Sequence, residues 1–413
     1  MVYFFRYLVF FLRTSLLSAG SLLQSWLHIL YESRYPVKRN MAEGNLNILI
    51  IQLGQIGDFV LSAPLFAALK DTCGKKPSLT VMTDSVNRDL ARTDPNIDRA
   101  VFYDSAKYSR MKKGVKKNGN GNEAGKRGGL MSPEGIGVED SAGSGFPKKL
   151  LKAEGFDKVI WLRGDMKAFL WVVINRLPME SVMKFPNPLR TSWIALITGS
   201  PVKKNFRHFL ECLDEMGNGA LPSSLFRKNP RGEPACGQRE VFIHIGSGNI
   251  LRRWPEESFS RLCSLILGLD PDIRVSLIGS KEDREAARRI AQGAFIPAPD
   301  RVRNMCGILK LTDLFDRFKG AHLYIGFDSG PMHIAASSGV PIVALMGPQS
   351  PQVFRPWADE ARIIYKDFFC SPCWQFGCVH TGRGAGACVL AIKPEEVFKE
   401  AKSVLEKAFS YAN

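Results

Sequence analysis

At 413 residues the chain is long enough for two domains, each with its own core. Its net charge of +16 implies anionic company: phosphorylated ligands, an anionic membrane face or nucleic acid. No zinc finger, helix-turn-helix or aromatic RNA-binding signature accompanies the charge, which ranks nucleic acid last; nine cysteines without a clear cleavage signal fit a reducing cytoplasm better than export.

Residues 1–40 stand apart, rich in Phe, Leu and Tyr, with Arg6, Arg13, Arg34, Lys38 and Arg39 against Glu32 alone. The arginines interrupt the apolar run too early for a spanning helix. A basic amphipathic helix lying in the interface of an anionic membrane fits this composition, and an over-extended start before Met41 is the other reading. Next, Asn47 to Leu53 reads as a buried strand, Gly54 to Asp58 as a Gly-bounded turn, and Phe59 to Lys70 as a helix. Asp58 at that helix start is either a complement to the helix dipole or a general base.

The alternation continues with a strand at Ser78 to Met82, a helix at Ser85 to Arg92 and a strand ending at Tyr103. Residues 105–149 are dense in Gly, Lys, Asn and Ser and are expected to form a disordered basic insertion. A strand from Phe156 to Leu162 ends in Arg163, and a helix runs from Met166 to Asn175. Lys184, Arg190, Lys203, Lys204 and Arg207 follow, an anion-facing rim or scattered surface charge. A helix over Phe209 to Met216 closes a first domain over 45–216, and 217–238 reads as a linker.

The second domain, 239–392, opens with a strand at Glu240 to Ile245 and a Gly/Ser loop containing Ser247 and Gly248. Arg252-Arg253-Trp254-Pro255 then leads into a helix from Glu256 to Leu269; the guanidinium fork suits phosphate. A strand over Ile273 to Ile278 is followed by Glu282 and Asp283, either of which could bind ribose hydroxyls or favour a helix start. Leu323 to Ile325 is a strand, Ser329 an N-cap, Met332 to Ser338 a helix and Ile342 to Leu345 a second strand. Asp328, Ser329 and Gly330 thus sit at the carboxyl end of a parallel strand, beside a helix N-terminus suited to a diphosphate, with His333 one turn inside. Cys370, Cys373, Cys378 and Cys388, near His380, have a spacing open to metal binding, with plain structural thiols as the simpler alternative. Residues 393–413 form a C-terminal helix.

Three segments in order, LNILIIQLGQIGDFVLSAPLFAAL, HIGSGNILRRWPEESF and YIGFDSGPMHIAASSGVPIVALMGP, resemble the heptosyltransferase family of bacterial lipopolysaccharide synthesis, glycosyltransferase family nine. The resemblance runs from about Leu46 to Phe398, excluding the insertion. It implies an α/β GT-B fold, two Rossmann-like domains facing across a cleft, with the terminal helix packing back on the first domain. The first domain would take a lipid-linked oligosaccharide acceptor and the second an ADP-sugar donor, with no cofactor required.

Carried over by motif, Asp58 is the catalytic base, and Arg252 stands where the family usually has Lys. Asp328, Ser329, Gly330, Met332 and His333 match the nucleotide-diphosphate loop, Ser247 and Gly248 the first phosphate loop, and Asp283 a ribose-binding acid. The implied reaction is inverting glycosyl transfer, peripheral on the cytoplasmic face of the inner membrane. A relative using another nucleotide sugar, and a catalytically silent nucleotide-sugar or lipid-surface binder, remain the alternatives.

Overall fold

The computed structural model describes residues 46–72, 77–103, 137–140, 155–163, 166–177, 179–181, 239–293, 297–368, 370–372, 378, 380 and 382–410. The expected leader over 1–40, the helix over 209–216, the linker, Cys373 and the cations between 184 and 207 lie outside these residues. The chain divides into two compact units, one holding the first sheet below and the other the second.

In the first unit, β1 (Asn47–Gln52) is buried at every position but Asn47, as a central parallel strand must be. It is followed by α1 (Ile56–Thr72), β2 (Ser78–Thr83), a short 3₁₀ turn, α2 (Arg88–Thr93) and β3 (Arg99–Phe102). Then come β4 (Gly137–Asp140), β5 (Lys158–Arg163), α3 (Met166–Ile174) and β6 (Met179–Ser181). All pairings are parallel, in the order β4-β3-β2-β1-β5-β6, so the winding direction reverses between β1 and β5. Two expectations are corrected here. α1 starts at Ile56, which puts Gly57 and Asp58 inside its first turn rather than in the loop. The segment over 105–149 is not structureless throughout, because β4 pairs in register with β3. An edge strand is held by backbone hydrogen bonds on one side only and needs no apolar run, so composition does not reveal it.

The second unit holds β7 (Arg239–His244), α4 (Glu256–Leu267), β8 (Ile273–Ile278), α5 (Arg284–Ala291) and β9 (Val302–Asn304). It continues with α6 (Leu311–Lys319), β10 (Leu323–Phe327), α7 (Gly330–Ser337), β11 (Ile342–Met346), α8 (Pro351–Phe354) and β12 (Ala361–Tyr365), then α9 (Ala387–Leu390) and α10 (Pro394–Ser410). This sheet is also all parallel, ordered β12-β11-β10-β7-β8-β9, and reverses between β7 and β10. The edge strands β9 and β12 carry no sequence signal: one has three residues and the other exposes Arg362 and Ile363.

Helix α10 places Val397, Ala401, Val404 and Leu405 on one face, at helical spacing, and all four are buried in the second unit's core. This apolar stripe packs against α4. Trp254 ties the same region together. It is buried, meets Phe259 edge-on at 5.1 Å and donates its indole N–H to the Ile392 carbonyl oxygen at 3.0 Å. Trp254→Ala leaves a ring-sized cavity and an orphaned carbonyl, and is expected to cost about 3–5 kcal/mol in thermal or denaturant unfolding. A loss below about 1 kcal/mol would show that the indole is not part of this core.

Candidate functional site

Each sheet reversal gathers its own set of side chains. At the first reversal, β1 ends in Gln52, a buried amide that organises the following turn. Its Nε2 donates to the Asp58 carbonyl oxygen at 3.2 Å and to Ser62 Oγ at 2.6 Å, and its Oε1 accepts from Gly54 N–H at 3.2 Å. Asn87 Nδ2 holds the other side of the turn through the Gly54 carbonyl oxygen at 3.0 Å. Gly54 cannot carry a side chain, because a Cβ there would lie 2.5 Å from Asp58 Cβ and 2.7 Å from Asp58 Oδ2. The carboxylate of Asp58 folds back over that glycine.

Asp58 Oδ2 accepts from Gln55 N–H at 2.9 Å and from Arg163 Nη1 at 2.6 Å. Oδ1 takes no hydrogen bond from the described residues. The arrangement orients one oxygen, supplies an opposite charge and leaves the second oxygen open to a proton donor. Sequence reading gave Arg163 no role. It lies 105 residues from Asp58 and reaches it only because β5 pairs beside β1 at the reversal.

At the second reversal Asp328 follows β10 and is mostly buried between two cationic or potentially cationic groups. Arg252 Nη1 lies 3.2 Å from Asp328 Oδ2 and donates to the Asp328 carbonyl oxygen; His333 Nε2 lies 3.5 Å from Oδ1. Asp328 thus acts as an internal counter-charge that aims Arg252 and His333. Two nitrogens at this point, Arg252 Nε and His333 Nδ1, are buried without a hydrogen-bond partner among the described residues. A buried polar atom without a partner is costly unless a ligand or water meets it. Asn249 caps the short turn carrying Arg252 by accepting from Leu251 N–H at 2.9 Å.

The other expected donor residues fall in different environments. Ser247 Oγ accepts from Asn249 N–H at 3.2 Å and Gly248 is exposed in the same loop. Ser329 is the N-cap of α7 and Gly330 its first residue. Met332 is fully buried and its N–H goes to the Ser329 carbonyl oxygen at 3.1 Å, so its side chain belongs to the core. Asp283 is buried and occupied: Oδ2 accepts from Ser280 N–H and Oγ at 2.9 and 2.7 Å, and Oδ1 lies 3.4 Å from Arg253 Nη2. Its neighbour Glu282 is exposed, with its carboxyl held below the usual range by its own backbone N–H and the Ser280 hydroxyl. Of the two acids, Glu282 is the one a ribose could reach.

Cys370, Cys378, His380 and Cys388 line one small cavity with Leu251 and Pro348. Cys370 Sγ lies 3.9 Å from His380 Nε2, and Gly386 N–H donates to Cys378 Sγ at 3.3 Å. Burial pushes the Cys388 thiol up, away from the thiolate. Among the described residues no group of three or more such side chains converges to hold a metal ion. The segment's observed contact is instead with the Arg252 turn, where Gly386 packs against the Leu251 backbone.

His244, the last residue of β7, is buried, and desolvation lowers its pKa to about 4 despite the nearby Asp283 charge. An unfolded histidine titrates near 6.5. Between these values the unfolded chain binds a proton that the folded chain does not. The contribution of this group to stability is therefore complete above about pH 6.5 and is lost as pH falls toward 4. Unfolding measured across that window should lose stability on acidification, with a shallower slope for His244→Asn; an unchanged slope would contradict a buried neutral imidazole.

Residues 148–382 match the family model described as glycosyltransferase family 9 (heptosyltransferase). Lipooligosaccharide heptosyltransferase 2 of Campylobacter jejuni is 30% identical over 158 residues, covering 38% of this chain and 48% of that protein. The chain spans about half or less of the length of the first curated relatives it matches. Among solved structures, the Escherichia coli ADP-heptose lipopolysaccharide heptosyltransferase II aligns over 88% of this chain and 99% of its own, at 18% identity and a TM-score of 0.56. A family 9 glycosyltransferase from Veillonella parvula aligns over 89% and 100%, at 18% identity and a TM-score of 0.57. At this identity the structural likeness speaks for the fold, which is GT-B. Asp58 lies outside the matched range, whereas Arg252, Asp328 and His333 lie inside it.

Proposed function

The chain belongs to glycosyltransferase family 9, the heptosyltransferases, and on that basis we propose that it moves a heptose or related sugar from an ADP-sugar to a lipopolysaccharide core or similar lipid-linked acceptor. The observation that carries this reading is the pair of buried, unpartnered nitrogens, Arg252 Nε and His333 Nδ1, gathered around Asp328 at the second sheet reversal. They flank the N-terminus of α7, where Gly330 N–H takes no partner among the described residues, and together these groups suit the diphosphate of the donor.

Transfer proceeds with inversion. The acceptor hydroxyl oxygen forms a bond to the anomeric carbon as the bond from that carbon to the diphosphate oxygen breaks on the opposite face. The hydroxyl proton passes to Asp58 Oδ1, and the bonding pair leaves on ADP. Arg252 and the Gly330 N–H meet the charge that gathers on the departing diphosphate. Arg163 keeps Asp58 aimed through Oδ2 and leaves Oδ1 to act. No added cofactor takes part in this scheme. The enzyme works at the cytoplasmic face of the inner membrane, drawn to its anionic surface by a strongly basic chain; no described helix is long and apolar enough to cross a membrane.

Asp58→Ala removes the proton acceptor and should lower turnover with ADP-heptose by roughly 10²–10⁴. ADP affinity, measured by calorimetry, should stay within about twofold because Asp58 belongs to the acceptor side of the reaction. Full turnover in this variant would remove Asp58 from the mechanism. Turnover with a UDP- or GDP-sugar in place of ADP-heptose would keep the transferase and discard the donor.

A further inference from the structure

Ser329 occupies the N-cap of α7 with φ −161° and ψ 166°, yet its hydroxyl makes no cap hydrogen bond. The local sequence explains this. Pro331 has no N–H to offer, and the Met332 N–H is taken by the Ser329 carbonyl oxygen at 3.1 Å. The hydroxyl turns the other way, with Oγ 3.2 Å from His244 Nδ1 and 3.0 Å from the Phe327 carbonyl oxygen. His244 reaches this position because β7 and β10 are neighbours at the sheet reversal.

Behind the imidazole stands Asp283, pinned by Ser280 and Arg253. Its carboxylate and the far ring nitrogen share the space beside Gly246: a Cβ on that glycine would meet Asp283 Oδ2 at 2.4 Å and His244 Nε2 at 3.4 Å. The Ser329 hydroxyl has one proton, and the Phe327 carbonyl oxygen takes it, so the ring presents its Nδ1–H to Ser329 Oγ. The resulting line, Asp283 to His244 to Ser329, joins the ends of three strands through groups that sequence reading left unconnected.

We propose that His244 is a positioning residue for the donor diphosphate: its Nδ1–H donates to Ser329 Oγ, whose own proton goes to the Phe327 carbonyl oxygen, and so fixes the Ser329–Gly330 turn in the form that presents the Gly330 amide. This rests on the ADP-sugar reading above for the identity of the ligand, although the ordering of the turn is a property of the free protein.

The test compares His244→Leu, His244→Asn and Ser329→Ala in the full chain. Asn places its side-chain amide near the position of Nδ1 and keeps a donor for Ser329 Oγ, whereas Leu fills the space without one. Loss of the hydrogen bond should weaken ADP binding about tenfold in His244→Leu and in Ser329→Ala, with His244→Asn within about twofold of the original protein. Leu at 244 should add nothing in the Ser329→Ala background. Amide hydrogen exchange over residues 328–336, measured without nucleotide, should speed up in His244→Leu and Ser329→Ala but not in His244→Asn. Equal behaviour of the Leu and Asn variants, or unaltered ADP binding and exchange in Ser329→Ala, overturns the proposal. Where the original protein binds no ADP, the donor reading fails and the exchange pattern alone decides the positioning role. Ser329→Ala, on the solvent side of the bond, keeps the test open if His244→Leu does not fold.

Discussion

A parallel sheet whose strand order reverses sends its flanking helices to opposite faces, and the loops at the carboxyl ends of the two central strands must part. That constraint places both sets of functional side chains. In one unit β1 and β5 bring Asp58 against Arg163; in the other β7 and β10 bring His244 and the Arg252 turn against Asp328 and Ser329. Each set joins residues far apart in the sequence. Right-handed crossovers of buried apolar strands bring them together, so the cores of the two sheets are what hold the chemistry in register.

The charges at these points are arranged around two carboxylates, Asp328 and Asp58. Asp328 offsets the cost of burying Arg252 beside His333 and fixes the direction of both, while one nitrogen of each has no hydrogen-bond partner among the described residues. Removing Asp328 would leave Arg252 unaimed; filling the space with a diphosphate would satisfy nitrogens that the protein leaves open. At Asp58 one oxygen is committed to Arg163 and the Gln55 amide, and its mate takes no hydrogen bond from the described residues. Buried amides support the turn without carrying charge: Gln52 bonds backbone groups of Gly54 and Asp58, and Asn87 bonds the Gly54 carbonyl oxygen.

The sequence made the central strands and the helices after them legible, since β1, β7 and β10 are apolar runs bounded by Gly, Pro and Asp. The Ser329 cap and the helix behind it were readable for the same reason. The edges were not: β4, β9 and β12 are held by backbone pairing, which leaves little trace in residue choice. Partnerships across the sheets were also invisible. Arg163 and His244 each occur at the end of a strand, and nothing local says that one will meet Asp58 and the other Ser329. Asp283 shows the converse. An acid at a helix start invites a ligand role, but only burial shows that its oxygens are already taken.

The central claim is that the β7/β10 reversal binds the diphosphate of an ADP-sugar through Arg252 and the α7 N-terminus. Calorimetric titration of ADP, UDP and GDP into the full chain, with magnesium present and then chelated, tests it most directly when repeated on Arg252→Ala. ADP should bind with magnesium chelated, more tightly than UDP and GDP, and at least tenfold more weakly without the Arg252 guanidinium, as expected for loss of a charge-assisted contact to phosphate. Unchanged ADP affinity in Arg252→Ala, or no preference for ADP in the original protein, would contradict it.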